Sequence, residues 1–469
     1  MTAMMSLTQA AQWIVDARLV GDANLQPLRV HTDTRTIEPG DLLVALKGER
    51  YDANDFLHEA QQRGAMAVVC HAGLPLDKLP AGLARIEVPH TTVALQQLAT
   101  GWRKQFALPL IAITGSNGKT TVTQMVASIL DAFCPDGAAL ATRGNFNNDI
   151  GVPLTLLRLR ASHRMAVVEL GMNHPGEIAV LAAMAQPTVA LVNNAQREHL
   201  EFMHTVEAVA QENGSVIATL PSNGVAVYPS DDTHSAVWRD AAAARQVVEF
   251  SMENNVQSTH LGCIQAEWAH GAWQVHAQGL GAELNYRLAI AGRHNVKNSL
   301  AAAACALAAG VSVAAVEQGL NAFVPVKGRS RALALVAAER EVTLVDDTYN
   351  ANPDSVRAAI DVLADLPGPR MLVLGDMGEV GDQGPQFHAE AVRYAHAKGI
   401  DYLLATGMAT RNAVAEFPGA RHFGAMDDLC AAAIALVPSV ASVQVKGSRF
   451  MRMERVVESV MTHFSNGGH

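Results

Sequence analysis

Short apolar runs alternate along this chain with stretches whose apolar residues recur every three or four positions, and the alternation predicts strands and helices in turn. Residues 7–17 read as an opening helix, 56–64 as a helix, 65–70 as a strand and 92–106 as a helix, which together make a small α/β unit over residues 1–106. The apolar run 108–113 reads as a buried strand. A glycine-bounded turn follows it, and 122–133 has helical spacing. Further strands are expected at 165–168 and 189–192, with a polar turn at 144–153 leading into a helix between the first and second of these three strands. Residues 241–288 give mixed strand signals in which Trp268 and Trp273 are structural, and a long alanine-rich helix opens at 292–300. This alternation implies a mostly parallel sheet covered by helices on both faces, over residues 107–325. A second alternation, with strands at 342–345, 371–374, 402–405 and 443–445, gives a third unit over 326–469. It is built like a dinucleotide-binding domain but lacks G-x-G-x-x-G, so it need not bind a dinucleotide. The expected fold class is therefore α/β in three domains: a small N-terminal α/β domain, a central mostly parallel sheet, and a C-terminal Rossmann-like domain.

Bulk properties narrow the function. A chain of 469 residues, 49% of them hydrophobic, can build several cores. Its net charge of −10 argues against nucleic acid or an anionic membrane as a partner. No basic segment precedes an apolar core at the start, so no signal peptide is expected, and no run approaches the ~20 apolar residues of a membrane span. The five cysteines are scattered without C-x-x-C, which fits a reducing, cytoplasmic compartment with neither disulfide framework nor zinc cluster. Nothing demands an oligomer, and a monomer is expected.

The chemistry gathers at Thr114-Gly115-Ser116-Asn117-Gly118-Lys119-Thr120-Thr121. Strand, glycine loop, lysine, hydroxyl and helix are the parts of a phosphate-binding P-loop. Backbone N–H groups line the loop, Lys119 reaches the terminal phosphates, and the Thr120 hydroxyl holds Mg²⁺. The strict pattern G-x-x-x-x-G-K-[ST] fails, because Ile113 stands where its first glycine belongs, and the competing reading is an ordinary glycine turn. Ligands of open α/β sheets lie at the carboxyl ends of strands, where Thr120, Glu169 and His199 would all project. They form a candidate Mg²⁺ site, against readings of Glu169 as an ion pair or helix cap and of His199 as a polar loop residue. Asn295 and Asn298 share a helix face and either read a base edge or cap the helix. Thr34, Arg35, Lys47 and Arg50 are either contacts to a phosphorylated ligand or solvated surface. The loops 346–355 and 375–379 would form the other jaw of a cleft over the phosphate loop.

Seven motifs in order resemble one family over nearly the whole chain. They are T-G-S-N-G-K-T-T (114–121), N-F-N-N-D-I-G-V-P (145–153), V-E-L-G-M-N-H-P-G-E-I (168–178), N-N-A-Q-R-E-H (193–199), G-R-H-N-V-K-N (292–298), D-D-T-Y-N-A-N-P-D-S (346–355) and L-G-D-M-G-E (374–379). The family is the Mur ligases of bacterial peptidoglycan synthesis. The pairing of D-D-T-Y-N-A-N-P with L-G-D-M-G-E, and of D-T-R with L-K-G-E-R-Y-D near the start, resembles the branch that adds D-alanyl-D-alanine. The resemblance implies ATP-dependent ligation of D-alanyl-D-alanine to UDP-N-acetylmuramoyl-tripeptide through an acyl phosphate. It further implies that Gly115, Ser116, Asn117, Gly118, Lys119, Thr120 and Thr121 bind ATP, with Asn295 and Asn298 on the adenine side. Asp346 and Asn350 would reach the nucleotide from the C-terminal domain, and Arg329 would help hold it after closure. Lys119, Glu169 and His199 carry catalysis in this reading, with Thr120, Glu169 and His199 on Mg²⁺. Thr34, Arg35, Lys47, Asn147 and Asn148 meet the substrate.

One position departs from the family. A lysine that becomes carbamylated and helps hold a second Mg²⁺ usually lies about a dozen residues past the histidine, where this chain has Asn213. Asparagine cannot form a carbamate, so either Asn213 serves as a neutral ligand, or Glu212, water or an anion substitutes, or the second metal is bound more weakly, and bicarbonate is not expected to stimulate activity. Two other readings remain at this point. A folylpolyglutamate synthase-like ligase would show G-K-G where this chain has Gly118-Lys119-Thr120, and a P-loop ATPase without ligation would hydrolyse ATP with no amine acceptor.

Overall fold

The computed structural model describes residues 3–465 apart from 255–256, 270–271 and 379, so Glu379 of the L-G-D-M-G-E motif (374–379) lies outside the described residues. Among the described residues the strands form three sheets that follow one another along the chain. The first has five strands in the order Arg18–Val20, Ala84–Val88, Ala67–His71, Asp41–Val44, Arg29–His31, parallel except for the antiparallel edge Arg18–Val20. Helix Thr91–Arg103 leaves this unit, and its Leu95 and Leu98 share one core with Val152, Leu156 and Leu181 of the central unit. The buried Arg103 guanidinium donates to the carbonyls of Ala185, Phe106 and Gln186, which fixes the connection.

The central sheet has nine strands. Leu110–Thr114 lies between Met165–Glu169 and Val189–Val192, parallel to both. Every residue of these three strands is buried, which is why they read as continuous apolar runs rather than alternating ones. Their shared direction brings Thr114, Glu169 and Val192 to one edge, so the phosphate loop, Glu169 and the segment 193–199 emerge side by side. The mixed signal at 241–288 resolves into parallel strand Gln246–Ser251 and the antiparallel meander His260–Ala269, Ala272–Gly279, Ala282–Leu288. Trp268 and Trp273 face each other across the meander with ring centroids 5.4 Å apart.

The third sheet has six strands, ordered Arg331–Ala337, Arg340–Asp347, Ser442–Lys446, Arg370–Leu374, Tyr402–Thr406, Arg421–Phe423, with the first antiparallel. Its two faces carry separate apolar clusters, one around Leu344, Val373 and Val445 and one around Ile360, Leu372 and Leu403. Three expected helices stop short of their patterns, the one at 92–106 ending at Arg103. The first ends at Trp13, where Ile14 turns extended and Asp16 takes a φ of 56°, and 56–64 begins with a tight turn at Ala53–Phe56 before helix Leu57–Gln62.

Candidate active site

The loop after Leu110–Thr114 is shaped by two glycines. Gly115 has φ +130° and Gly118 φ +82°, a region that side chains other than glycine's disfavour. A Cβ on Gly118 would stand 2.7 Å from both Asn193 Nδ2 and Asn298 Oδ1. Three of the loop amides that were expected to line phosphates are already engaged. Gly115 N donates to Asn213 Oδ1 (3.0 Å), Ser116 N to the Asn194 carbonyl (3.1 Å) and Asn117 N to Asn194 Oδ1 (2.9 Å). The amides without an acceptor one turn back are those of Lys119, Thr120 and Thr121, which open helix Lys119–Phe133 and give the loop its anion-binding end.

Asn213 is thus a structural residue. It is 1% exposed, its Oδ1 also accepts from Thr114 Oγ1 (2.6 Å), and its Nδ2 donates to the Val209 carbonyl (3.1 Å). Its acceptor oxygen is thus bonded twice to the phosphate strand and loop, and the side chain does not line the cavity between the units. The Glu212 carboxylate accepts from Gly176 N (2.8 Å) and Ile178 N (2.9 Å) at the start of helix Glu177–Ala185.

Lys119 Nζ makes three hydrogen bonds, to the carbonyls of Gly115 (2.6 Å) and Ser116 (3.2 Å) and to Glu198 Oε1 (2.6 Å). Thr120 Oγ1 donates to Glu169 Oε1 (3.1 Å), Asn147 Nδ2 donates to the same oxygen (2.8 Å), and the Thr142 hydroxyl accepts from Glu169 N. Glu169 is 2% exposed, and its Oε2 is buried without a hydrogen-bond partner. A buried carboxylate oxygen with no donor, beside a threonine hydroxyl and a phosphate loop, fits Mg²⁺, which needs few protein ligands when phosphates and water complete its shell. Among the described residues no group of three or more His, Cys, Asp or Glu forms a metal cluster. His199, at φ 47°, has its Nε2 3.6 Å from Glu198 Oε1.

The third unit closes over this loop. Arg329 Nη2 donates to Thr120 Oγ1 (3.1 Å) while its guanidinium lies 3.9 Å from the centroid of the Tyr349 ring. Asn352 Nδ2 donates to Asn117 Oδ1 (3.0 Å). Arg197 is gripped by Asp354, through its backbone N (2.7 Å) and Nη2 (2.7 Å), and reaches Glu390. The cavity between the units is about 1120 Å³ and is lined by Ser116, Asn117, Gly118, Lys119, Thr120, Thr121, Asn147, Asn148, Glu169, His199, Asn295, Asn298, Arg329 and Asn350 of the expected site.

Other expected residues sit differently. Gly115 holds the loop from behind the lining. The Asp346 carboxylate is 1% exposed, accepts from Gly328 N and Thr348 Oγ1, and anchors the turn that carries Arg329 rather than entering the cavity; Asp347, paired with Lys446 at 2.6 Å, lines it instead. Asn298 Nδ2 donates to Asn295 Oδ1 (2.9 Å), Asn295 Nδ2 to the Ala291 carbonyl, and Asn193 Nδ2 to Asn298 Oδ1 (3.0 Å), so both asparagines brace the glycine turn. Asn148 Oδ1 accepts from Gly151 N and caps the following helix. Thr34, Arg35 and Lys47 stay on the first sheet, after the carboxyl ends of Arg29–His31 and Asp41–Val44, and are not brought into the cavity. The Arg35 side chain is 82% exposed and paired with Asp33, whose carboxyl it holds down at about 2. Sequence reasoning missed Arg197 and Glu198 as site residues. Their only signal was position, charged side chains flanking the strand-end histidine.

The chain matches models described as Mur ligase family, catalytic domain (residues 29–103), Mur ligase middle domain (113–306) and Mur ligase, glutamate ligase domain (331–449). It is 39% identical over 434 residues to a UDP-N-acetylmuramoyl-tripeptide--D-alanyl-D-alanine ligase of Escherichia coli (strain K12), covering 92% of this chain and 93% of that one. It is 36% identical over 467 residues to the like-named protein of Haemophilus influenzae, covering 97% and 98%. Among solved structures, a crystal structure of MurF from Acinetobacter baumannii matches with a TM-score of 0.89 at 33% identity, covering 98% of this chain and 100% of that one.

Proposed function

The chain belongs to the Mur ligase family, and from that premise we propose that it joins D-alanyl-D-alanine to UDP-N-acetylmuramoyl-tripeptide with consumption of ATP, a cytoplasmic step of peptidoglycan-precursor synthesis. The observation that carries this reading is the two-sided cavity, in which Arg329 and Asn352 of the third unit bond directly to Thr120 and Asn117 of the phosphate loop. A site of this form encloses a nucleotide together with a second and a third reactant. Among the described residues no helix is long and apolar enough to cross a membrane.

The tripeptide carboxylate and the ATP triphosphate are both anionic, so the site must offset charge and align them. Lys119 supplies a cation once its ammonium turns from the loop carbonyls to phosphate. The first-turn amides of helix Lys119–Phe133 add the positive end of a helix dipole. Thr120 and Glu169 would hold Mg²⁺, which when bound offsets charge between the phosphates and the attacking carboxylate. Arg329 ties this hydroxyl to the third unit, so closure and metal placement are coupled. A carboxylate oxygen attacks the γ-phosphorus and ADP leaves. The dipeptide amine then attacks the acyl carbon, and the C–O bond breaks to release phosphate. Residues 1–106, with Thr34, Arg35 and Lys47 at a strand-end edge, would hold the UDP-sugar peptide, residues 107–325 the nucleotide, and 326–469 would close over both. Phosphate release, measured with each substrate omitted in turn, tests the reading. It is expected to require ATP, the nucleotide-sugar tripeptide and D-alanyl-D-alanine together. Release at full rate without the dipeptide would sink it.

A further inference from the structure

Two carboxylates in the cavity have a buried oxygen with no hydrogen-bond partner, Glu169 and Glu198. The others that line it are committed, apart from the exposed Asp149. Glu177 and Asp232 hold backbone amides, Asp231 pairs with Lys297, Asp347 with Lys446 and Asp354 with Arg197. Glu198 is 6% exposed. Its Oε1 takes Lys119 Nζ at 2.6 Å and lies 3.6 Å from His199 Nε2, while Oε2 receives nothing.

This arrangement is unstable toward the ligand that the loop is built for. The three donors of the Lys119 ammonium are used by Gly115, Ser116 and Glu198, so the ammonium cannot reach a phosphate without giving up at least one of them. When the contact given up is the one to Glu198, that carboxylate becomes a buried anion facing a triphosphate of the same sign. An uncompensated buried charge of that kind is costly, and a cation arriving with the phosphates removes the cost. Asn213 and Glu212 do not line the cavity, and their oxygens already accept from Thr114, Gly115, Gly176 and Ile178.

We propose that Glu198 is a second cation-binding carboxylate of the nucleotide site, occupied by Lys119 until a triphosphate draws the ammonium away and a divalent ion takes its place. The proposal rests on the reading of the cavity as an ATP site. Lys119 and the incoming ion thus exchange on one carboxylate, and the loop lysine reaches phosphate only as the second ion arrives. His199 takes a φ of 47°, and its Nε2 stands beside Glu198 Oε1.

The test counts Mn²⁺ bound per chain, by the electron paramagnetic resonance of the free ion, with the β,γ-methylene analogue of ATP present. Wild type is expected to hold two ions. Glu198→Gln is expected to hold one tightly, with the second weakened by about tenfold or more, and Glu198→Asp, which keeps the charge, retains two. In EDTA the sign reverses: Glu198→Gln binds the metal-free analogue more tightly than wild type, because Lys119 is no longer held. Glu198→Gln with two ions at wild-type affinity, or with analogue binding lost in EDTA, overturns the proposal; the second outcome would mark Glu198 as a purely structural support of the loop. Wild type that binds the analogue with a single ion overturns the proposal and leaves the proposed ligase intact. Wild type that binds no analogue overturns both.

Discussion

Replacing Asn213 by alanine separates a structural asparagine from a metal ligand. The side chain is 1% exposed and makes three hydrogen bonds, accepting from the Thr114 hydroxyl and the Gly115 amide and donating to the Val209 carbonyl. Alanine leaves two donors, the Thr114 hydroxyl and the Gly115 amide, buried without partners, while the Val209 carbonyl keeps the helical bond from the backbone amide of residue 213. Each such group costs about 1–3 kcal/mol, and allowing the Thr114 hydroxyl to rotate toward another acceptor brings the sum to about 3 kcal/mol. The loss falls on strand Leu110–Thr114 and the turn after it, so local opening there becomes easier by about two powers of ten. Hydrogen exchange followed by mass spectrometry on peptides covering residues 110–118 reads that change directly. It is expected to show about a hundredfold faster exchange in Asn213→Ala, with exchange in the third sheet unchanged. Asn213→Asp keeps the acceptor and should fall between the two. Unchanged exchange at 110–118, together with weaker Mn²⁺ binding, would refute the reasoning and return Asn213 to the metal.

Lys119→Ala is expected to abolish phosphate release, and because it strands Glu198 it should also lower the melting temperature; adding Glu198→Gln should restore part of that loss, and a double variant no more stable than Lys119→Ala would show that the pair does not matter. Arg197→Ala removes the ion pairs from the central unit to Asp354 and Glu390, so small-angle X-ray scattering of the ligand-free protein should give a larger radius of gyration, and an unchanged radius would contradict the latch. All five cysteines are buried, and burial, reinforced by Glu87, pushes the Cys70 thiol up to about 11. The Cys70 thiolate is therefore scarce at pH 8, and Ellman's reagent should find essentially no thiol before unfolding and all five after it, whereas rapid native reaction would contradict the packing.

The phosphate loop was legible because its determinants are local. Five buried residues in a row, a glycine turn and a helical period lie within residues 110–133. The crevice was legible in outline for a similar reason, since polar residues follow each apolar run and parallel strands bring those ends to one edge. Partners chosen by the fold were not legible. Thr114 and Asn213 are 99 residues apart, Lys119 and Glu198 are 79, and Arg197 and Asp354 are 157. The resemblance marked Asn213 as a departure, but only the fold reveals that its oxygen is spent on the loop. Likewise, the strand end at Asp346 and Asp347 offered two adjacent carboxylates, and alternation along the strand decided which one faces the cavity. Local pattern also overran the ends of helices, as at 14–17, where capping and backbone geometry terminate the element before its apolar period does.

In the proposed reaction ATP activates a carboxylate as an acyl phosphate before the amine attacks. Tripeptide substrate carrying ¹⁸O in its terminal carboxylate tests this in one measurement, the mass of the phosphate released during ligation. One ¹⁸O atom transferred to each phosphate is the predicted result, because the attacking carboxylate oxygen leaves with the phosphorus. Unlabelled phosphate would contradict the claim and assign ATP cleavage to water.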